Sequence, residues 1–311
     1  MRMRICPDAA ITVRITLIHN PTAGRQSAGE AARLCGLLAE RGHKVRYRSA
    51  KDSHWKRALK KPADLVVVAG GDGTVARITR RMVGRGVPLT VLPTGTANNI
   101  ARTLGLVERP FEELVRSWEN PRRVRLDVGV AAGPWGERYF VEGVGAGLFA
   151  MLLAQPESEK MKGRAAAVES GLRRLRDQAA RCEPVEVAAT LDGKDVSGRY
   201  VLIEAVNLRY VGPNLHLAPD SEPGDGQFDV VMVSEEERER LVRYLDEWQE
   251  NRERLALLPT RRGKRLEIEW TGFALHIDDK LRPKAKLKPE KMAGLVEARI
   301  GDAGVEFLVP A

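Results

Sequence analysis

Residues 66–78 read VVVAGGDGTVARI, and this stretch decides the fold class. It lies within a continuous apolar run, which is typical of a strand buried on both faces of a parallel sheet. The run stops at two glycines, and beyond Asp72 the apolar residues return at helical spacing through Val75 and Ile78. A buried strand that passes through a short turn into a helix is the building unit of an α/β domain.

Strand and helix patterns alternate along the first part of the chain. Strand patterns occupy residues 11–19, 43–50, 63–71 and 88–93, and helical spacing follows each of them. Strands that alternate with helices predict a parallel sheet covered by helices. We therefore predict an α/β domain over residues 11–123.

The pattern then changes to that of an antiparallel β-sandwich domain over residues 124–285. Strand-like segments, several joined by hairpin signals, occupy residues 124–143, 185–191, 199–206, 227–233, 264–270 and 272–278. Helical insertions are predicted at 157–181 and 235–257. The tail at about 286–311 carries two further strand patterns, which can join the sandwich or return to the α/β domain.

Length and composition agree with a two-domain globular protein. The chain has 311 residues, 43% apolar and 30% charged, and its three cysteines show no Cys-x-x-Cys spacing. No segment approaches the roughly 18 apolar residues of a membrane span, and the N-terminal stretch lacks an apolar signal core. We expect a soluble, cytoplasmic protein.

The formal charge of +9 favours anionic partners, but a basic surface that only keeps the protein soluble explains it equally well. Nucleic-acid binding is not predicted, because the sequence shows neither interleaved aromatic and basic residues nor a known motif.

Three glycine-containing turns follow three predicted strands, and each leads into a helix. They read NPTAG (20–24), GGDGT (70–74) and PTGTANN (93–99). Glycines allow close approach to a phosphate, and the amides at a helix N-terminus attract anions. Ligands of parallel sheets bind at the carboxyl ends of the strands. The repetition favours a nucleotide-phosphate site over three structural turns.

Asp72 is the unusual residue in such a site, because a carboxylate repels phosphate. It suggests Mg²⁺ binding or general-base catalysis, and a purely structural alternative is that it caps the following helix. The turn is neither a P-loop nor a dinucleotide-binding turn, since Gly-x-x-x-x-Gly-Lys-Ser/Thr and Gly-x-Gly-x-x-Gly are both missing there.

The ordered motifs NPTAG, GGDGT and LPTGTANN resemble the diacylglycerol kinase catalytic-domain family, which includes bacterial lipid kinases and is related to sphingosine and ceramide kinases. The segments RLDVGV (125–130) and NLRYVGPNLHLAPDSEPGDGQFDVV (207–231), with a closing HIDDKLRP hairpin, extend the resemblance over nearly the whole chain. It implies an NAD-kinase-like α/β domain, a C-terminal β-sandwich and a cleft between them. It also implies transfer of the γ-phosphoryl group of ATP to a lipid hydroxyl, with Mg²⁺.

The resemblance assigns roles to individual residues. Those expected to hold ATP are Asn20, Pro21, Thr22, Ala23, Gly24, Arg25, Ser49, Gly70, Gly71, Asp72, Gly73, Thr74, Gly95, Thr96 and Asn98. Asp220 is the expected Mg²⁺ ligand, with the main-chain carbonyls of Leu217 and Glu222. Asp127 is expected in a charged network, and as a metal ligand, near the phosphates.

The sequence departs from the family pattern at two places. The closing hairpin usually reads Asp-Gly-Glu, and its glutamate is the base proposed for the family, whereas this chain has Asp278-Asp279-Lys280. Asp72, Asp278 and Asp279 are therefore the candidate catalytic residues. Asn99 stands where bacterial diacylglycerol kinases usually have aspartate, which weakens the expected metal network.

These departures keep two alternatives to a lipid kinase open, a nucleotide-binding pseudokinase and an NAD-kinase-like enzyme that acts on a soluble nucleotide. A lipid kinase without a membrane span needs peripheral membrane contact, for which the basic segment 157–181 is a candidate. A solvated helix face accounts for that segment equally well. The sequence predicts neither the lipid acceptor nor the oligomeric state.

Overall fold

The computed structural model describes residues 12–24, 29–155, 163–251, 257–283 and 293–311. Its strands are β1 (Arg14–His19), β2 (Lys44–Ser49), β3 (Leu65–Gly70), β4 (Leu89–Pro93), β5 (Arg122–Leu126), β6 (Gly129–Ala132), β7 (Arg138–Phe140), β8 (Gly143–Gly147), β9 (Val185–Leu191), β10 (Lys194–Asp195), β11 (Gly198–Val206), β12 (Phe228–Ser234), β13 (Thr260–Gly263), β14 (Arg265–Trp270), β15 (Leu275–Ile277), β16 (Lys280–Arg282), β17 (Gly294–Ile300) and β18 (Val305–Val309).

The helices lie between these strands. They are α1 (Glu30–Glu40), α2 (Trp55–Ala58), α3 (Asp72–Met82), α4 (Asn99–Thr103), α5 (Phe111–Ser117), α6 (Leu148–Ala154), α7 (Arg164–Arg181) and α8 (Arg238–Asn251). No helix among the described residues is long and apolar enough to cross a membrane.

The N-terminal part forms a six-stranded sheet in the order β2-β1-β3-β4-β18-β5. The first four strands are parallel, β18 is parallel to β4, and β5 is antiparallel to β18. All six residues of β3 are buried, as its apolar sequence predicts for a central strand covered on both faces. The carboxyl ends of β1, β3 and β4 consequently lie along one edge.

The C-terminal part is an antiparallel sheet of twelve strands that is divided into two packed halves. One half contains β6, β7, β9, β10, β14 and β17, the other contains β8, β11, β12, β13, β15 and β16, and β9 pairs with β11 where they join. Phe140, Phe228 and Trp270 are fully buried in the hydrophobic core that the two halves share. The fold class predicted from the sequence is therefore confirmed.

Helices α6, α7 and α8 cover the outer face of the second half. Leu241, Tyr244, Leu245 and Trp248 on one side of α8 are buried against this sheet and α7. The apolar stripe of α8 is thus used for packing within the protein, as amphipathic helices of globular proteins usually do. Leu255, which continues the stripe in the sequence, lies outside the described residues.

The chain leaves the first sheet after β5 and returns to it at the end. Strand β18 lies between β4 and β5 and pairs with both, and Phe307 at its centre is fully buried. The last strand therefore supplies part of the core of the first sheet.

We expect Phe307→Ala to lower the free energy of unfolding by about 3–5 kcal/mol, because it removes a large side chain from a packed core. Glu306→Ala is the matched control. Its side chain is exposed and pairs only with Arg123 at the surface, so the loss should stay below about 1 kcal/mol. Chemical denaturation followed by circular dichroism measures both, and equal losses would contradict this account of β18.

Candidate active site

The second and third glycine turns touch each other backbone to backbone. A Cβ atom on Gly71 would lie 2.9 Å from the Cα of Gly95, and one on Gly95 would overlap the Cα of Gly71. Asn98 adopts a left-handed conformation (φ 57°) and closes the third turn. Its side chain accepts a hydrogen bond from Gly95 N and donates one to Gly95 O, both at 2.9 Å. Only glycine fits at this contact.

The first turn joins the other two at the same edge of the sheet. Asn20 Nδ2 donates a hydrogen bond to Thr74 Oγ1 at 2.8 Å, and its backbone amide donates to Ala69 O at 2.8 Å. Gly24 has φ +68°, and a Cβ atom there would overlap the carbonyl oxygen of Thr94. The structure thus brings together the three turns that the sequence singled out.

The remaining predicted nucleotide residues occupy different positions. Pro21, Thr22 and Ala23 lie within the first turn, and Gly73 and Thr96 are exposed in the second and third. Ser49 ends β2, and its hydroxyl accepts a hydrogen bond from Lys51 N at 3.2 Å. Arg25 lies outside the described residues.

Arg164, which the sequence analysis missed, reaches this edge from the other sheet. It begins α7, and its Nη2 donates a hydrogen bond to Pro93 O at 2.8 Å. Its Nε lies 3.9 Å from the position that a Cβ on Gly24 would take. A guanidinium group is therefore placed beside the first and third turns.

Asp72 is the first residue of α3, and Gly71 is the N-cap residue. The Oδ1 atom of Asp72 accepts a hydrogen bond from Ile100 N at 3.0 Å, so the Asp72 carboxylate caps α4 rather than its own helix. Burial raises the pKa of Asp72, while hydrogen bonds from the amides of residues 98–100 act in the opposite direction. The side chain therefore links the second and third turns.

A cavity of about 280 Å³ adjoins Asp72 and lies between the two sheets. Its polar lining includes Asp72 and Asn99 from the first sheet's side, together with Glu142, Glu204, His276, Asp278 and Asp279 from the sandwich. Its apolar lining comes from Phe149, Leu152, Leu153 and Val211. The cavity thus combines an acidic region with an apolar region.

Asp278 holds the cavity wall together. Its carboxylate forms an ion pair with Arg80 of α3 and accepts hydrogen bonds from Val141 N and Glu142 N, at 3.0 and 2.8 Å. Burial raises the pKa of Asp278, and the charge of Arg80 opposes this. These contacts position Asp278, and whether it also takes part in catalysis stays a prediction.

Asp279 and Lys280 follow Asp278 in the hairpin between β15 and β16. Lys280 Nζ lies 2.6 Å from Asp279 Oδ2, and both side chains are at least half exposed. Asp279 Oδ2 lies 3.9 Å from the position of a Cβ on Gly73. The hairpin therefore brings an ion pair, rather than a lone carboxylate, to the second turn.

Glu204 and His276 form a buried pair that the sequence analysis did not find. They lie on strands β11 and β15, on either side of Gly145 of β8. Because Gly145 has no side chain, Glu204 Oε2 reaches His276 Nε2 at 2.8 Å. Burial alone would lower the pKa of His276, but the charge and hydrogen bond of Glu204 raise it. Burial raises the pKa of Glu204, so the pair retains a proton readily.

Asn99 connects the two sheets. Its Nδ2 donates a hydrogen bond to Gly212 O at 2.9 Å, which a carboxylate could not do. Its side chain is buried, and Oδ1 has no hydrogen-bond partner among the described residues. Asn99 is thus suited to a contact between the domains, and its Oδ1 can accept a hydrogen bond from a ligand.

The predicted metal ligands lie in two places. Asp220 and Glu222 are exposed on the loop before β12, and Leu217 is buried there. Asp127 is fully buried, and its carboxylate accepts hydrogen bonds from Arg125 Nε and Gly226 N, at 3.0 and 2.7 Å. Within the described ranges, no group of three or more His, Cys, Asp or Glu side chains is placed to hold a metal ion. One carboxylate with main-chain carbonyls still fits the oxygen preference of Mg²⁺.

Comparison with known proteins gives two family matches that together span most of the chain. The Diacylglycerol kinase catalytic domain matches residues 14–131, and the YegS C-terminal NAD kinase beta sandwich-like domain matches residues 144–279.

Individual relatives agree with these matches. A protein named diacylglycerol kinase from Mycobacterium tuberculosis is 25% identical over 280 residues, which cover 85% of this chain and 88% of that protein. A diacylglycerol kinase from Bacillus subtilis is 28% identical over 243 residues, covering 74% and 77%. The crystal structure of a diacylglycerol kinase from Bacillus anthracis has a TM-score of 0.67 at 19% identity, covering 95% and 96%, and shows the same fold. The chain belongs to the diacylglycerol kinase catalytic-domain family, with the YegS-type sandwich as its second domain.

Proposed function

We propose that this protein is an ATP-dependent lipid kinase, which transfers the γ-phosphoryl group of ATP to a lipid hydroxyl in the cavity between its two domains. The observation that carries the proposal is the convergence of three glycine turns at one sheet edge, with Asp72 linking them to an adjoining cavity that is lined by both acidic and apolar side chains. The family membership supports the same reaction class.

The nucleotide part of the proposal rests on the turns. Glycine turns that lead into helix N-termini let phosphate oxygens approach the main chain closely, and the contact between Gly71 and Gly95 fixes two such turns without side chains between them. Arg164 adds a positive charge at the same place. We assign ATP phosphates to this edge, with Asn20 to Gly24, Gly70 to Thr74, Gly95, Thr96 and Asn98 around them, and Ser49 and Arg25 as further contacts.

The acceptor part of the proposal rests on the cavity. Phe149, Leu152, Leu153 and Val211 provide a surface for an alkyl chain, and we assign the acceptor hydroxyl to the carboxyl groups of the same cavity, which include Asp72. Asp72 and Asp279 remain candidate catalytic residues, and Asp278 positions the wall. Asp220 and the carbonyls of Leu217 and Glu222 would hold a structural Mg²⁺, and Asp127 is a further candidate ligand. The Mg²⁺ that accompanies ATP would neutralise phosphate charge when bound.

The assay that tests this function is the transfer of labelled γ-phosphate from ATP-Mg²⁺ to micellar lipid alcohols, with NAD as a soluble acceptor. We expect a labelled lipid with the wild type and loss of transfer in Asp72→Asn, which keeps an acceptor for Ile100 N and so should stay folded. Asp302→Ala, an exposed change, is the matched control.

Other outcomes of this assay identify the alternatives. Labelled NAD without labelled lipid would assign a soluble-nucleotide kinase and reject the lipid acceptor. ATP binding without any labelled product would favour a pseudokinase.

Arg164→Ala should weaken ATP-Mg²⁺ binding by about tenfold or more, because a charge-assisted contact contributes about 1.5–3 kcal/mol. Arg173→Ala on the same helix is the control, since Arg173 is exposed and pairs only with Glu169 at 3.8 Å. Calorimetry with the two variants measures the effect. Equal affinities would show that Arg164 is not part of the nucleotide site.

A further inference from the structure

The hairpin that usually carries the family's proposed base has Lys280 in the place of the glutamate, so the proton of the acceptor hydroxyl needs another acceptor. Five carboxyl groups line the cavity, and their partners differ. A carboxylate that is paired with a cation or several amides is a weak base, because those contacts stabilise its charged form.

Four of the five carboxyl groups are held in this way. Asp72 accepts the amide of Ile100, and Asp278 is paired with Arg80 and two amides. Glu204 is paired with His276 and Asp279 with Lys280. Each of these groups is thus held by a cationic side chain, by a histidine or by backbone amides of another segment.

Glu142 is the fifth carboxyl group, and it differs from the others. Its backbone is fixed on both sides, because Glu142 N donates to Asp278 Oδ1 at 2.8 Å and Glu142 O accepts from Asn207 N at 3.0 Å. Its carboxyl group interacts with the uncharged Asn99 amide, which lowers its pKa, and none of the ion pairs found among the described residues includes it. Burial, then the charges of Asp72, Asp278 and Asp279, raise the pKa of Glu142 well above its usual range. In its deprotonated form, such a group takes up a proton more readily than an ordinary carboxylate.

Asn99 gives independent evidence that a ligand group belongs beside Glu142. Its Nδ2 faces Gly212 O, which fixes the orientation of the amide, and its buried Oδ1 lines the cavity without a partner among the described residues. Leaving a buried acceptor unpaired costs about 1–3 kcal/mol. A hydroxyl group entering the cavity would satisfy this oxygen, next to the Glu142 carboxyl group with which the Asn99 side chain interacts.

We propose that Glu142 is the catalytic base, which accepts the proton of the acceptor hydroxyl. This assignment rests on the proposed kinase function. The O–H bond of the acceptor breaks and its proton passes to the Glu142 carboxylate, while the acceptor oxygen forms a bond to the γ-phosphorus. The bond from that phosphorus to the bridging oxygen breaks, and ADP leaves with the electron pair. Glu142 then releases the proton to solvent.

The test compares kcat in two variants of Glu142. Which of the two variants is more active depends on the role of this residue. Glu142→Gln keeps the size and the hydrogen bonds but cannot take a proton, whereas Glu142→Asp keeps a base on a shorter side chain. We expect kcat for the lipid labelled in the panel to fall about 10²–10⁴-fold in Glu142→Gln, and less in Glu142→Asp. ATP affinity by calorimetry and the melting temperature should be unchanged. Glu186→Gln, an exposed carboxyl group on β9, is the matched control.

The possible results separate this assignment from the proposed function. A wild type that labels lipid, with Glu142→Gln as active as the wild type or more active than Glu142→Asp, would overturn the base assignment alone. Loss of kcat in Asp279→Asn with Glu142→Gln unaffected would give the role to Asp279 instead. A wild type that labels no lipid and no NAD would reject both the proposed function and the base. If NAD alone is labelled, the proposed lipid kinase function is rejected. Comparing kcat of Glu142→Gln and Glu142→Asp with NAD as the acceptor then still tests whether Glu142 is the base.

Discussion

The ion pair between Arg80 and Asp278 is the interaction on which the site depends. Arg80 belongs to the helix that begins at the second glycine turn, and Asp278 lies in the hairpin of the sandwich, so the pair joins the nucleotide side to the acceptor side. Asp278 also binds the amides of Val141 and Glu142 and thereby fixes the sandwich side of the cavity wall. The Asp278 carboxylate is buried, and removing Arg80 would leave its charge without its cationic partner, which is strongly destabilising for a buried group.

The fold class and the three glycine turns could be predicted from the sequence because their causes are local. The apolar run before Gly70 has the length and continuity of a strand covered on both faces, and the alternation of strand and helix fixes the first sheet. The glycines in the turns are also required for a local steric reason. Gly71 and Gly95 meet where neighbouring strands end, and any side chain there would collide with the backbone of the other turn. The ordered motifs were specific enough to indicate the family.

The residues that complete the site could not be predicted, because their positions depend on pairing between distant parts of the chain. Arg164 reaches the glycine turns from a helix on the sandwich, and Glu204 meets His276 across an intervening strand. Two signals for the second contact were present in the sequence. Glu204 is a charged residue within an apolar strand, which demands a partner, and glycine within the strand at Gly145 indicates close approach by another group. Only the register of the strands shows that the two signals belong together.

The structure changes the interpretation of Lys280, because it shows which residue this side chain contacts. As a replacement for the family's glutamate it removes a base, but in the structure it pairs with Asp279, the carboxylate nearest Gly73. This pair reduces the negative charge next to the turns that we assign to ATP phosphates, where a lone carboxylate would repel the nucleotide. Asp278 is paired with Arg80 and with the amides of Val141 and Glu142. The hairpin therefore contributes charge balance and positioning, and the basic group comes from the strand connection that Asp278 holds. On this account, the loss of the hairpin glutamate moves the base to Glu142, which adjoins the hairpin on the same side of the cavity, and leaves the direction of phosphoryl transfer unchanged.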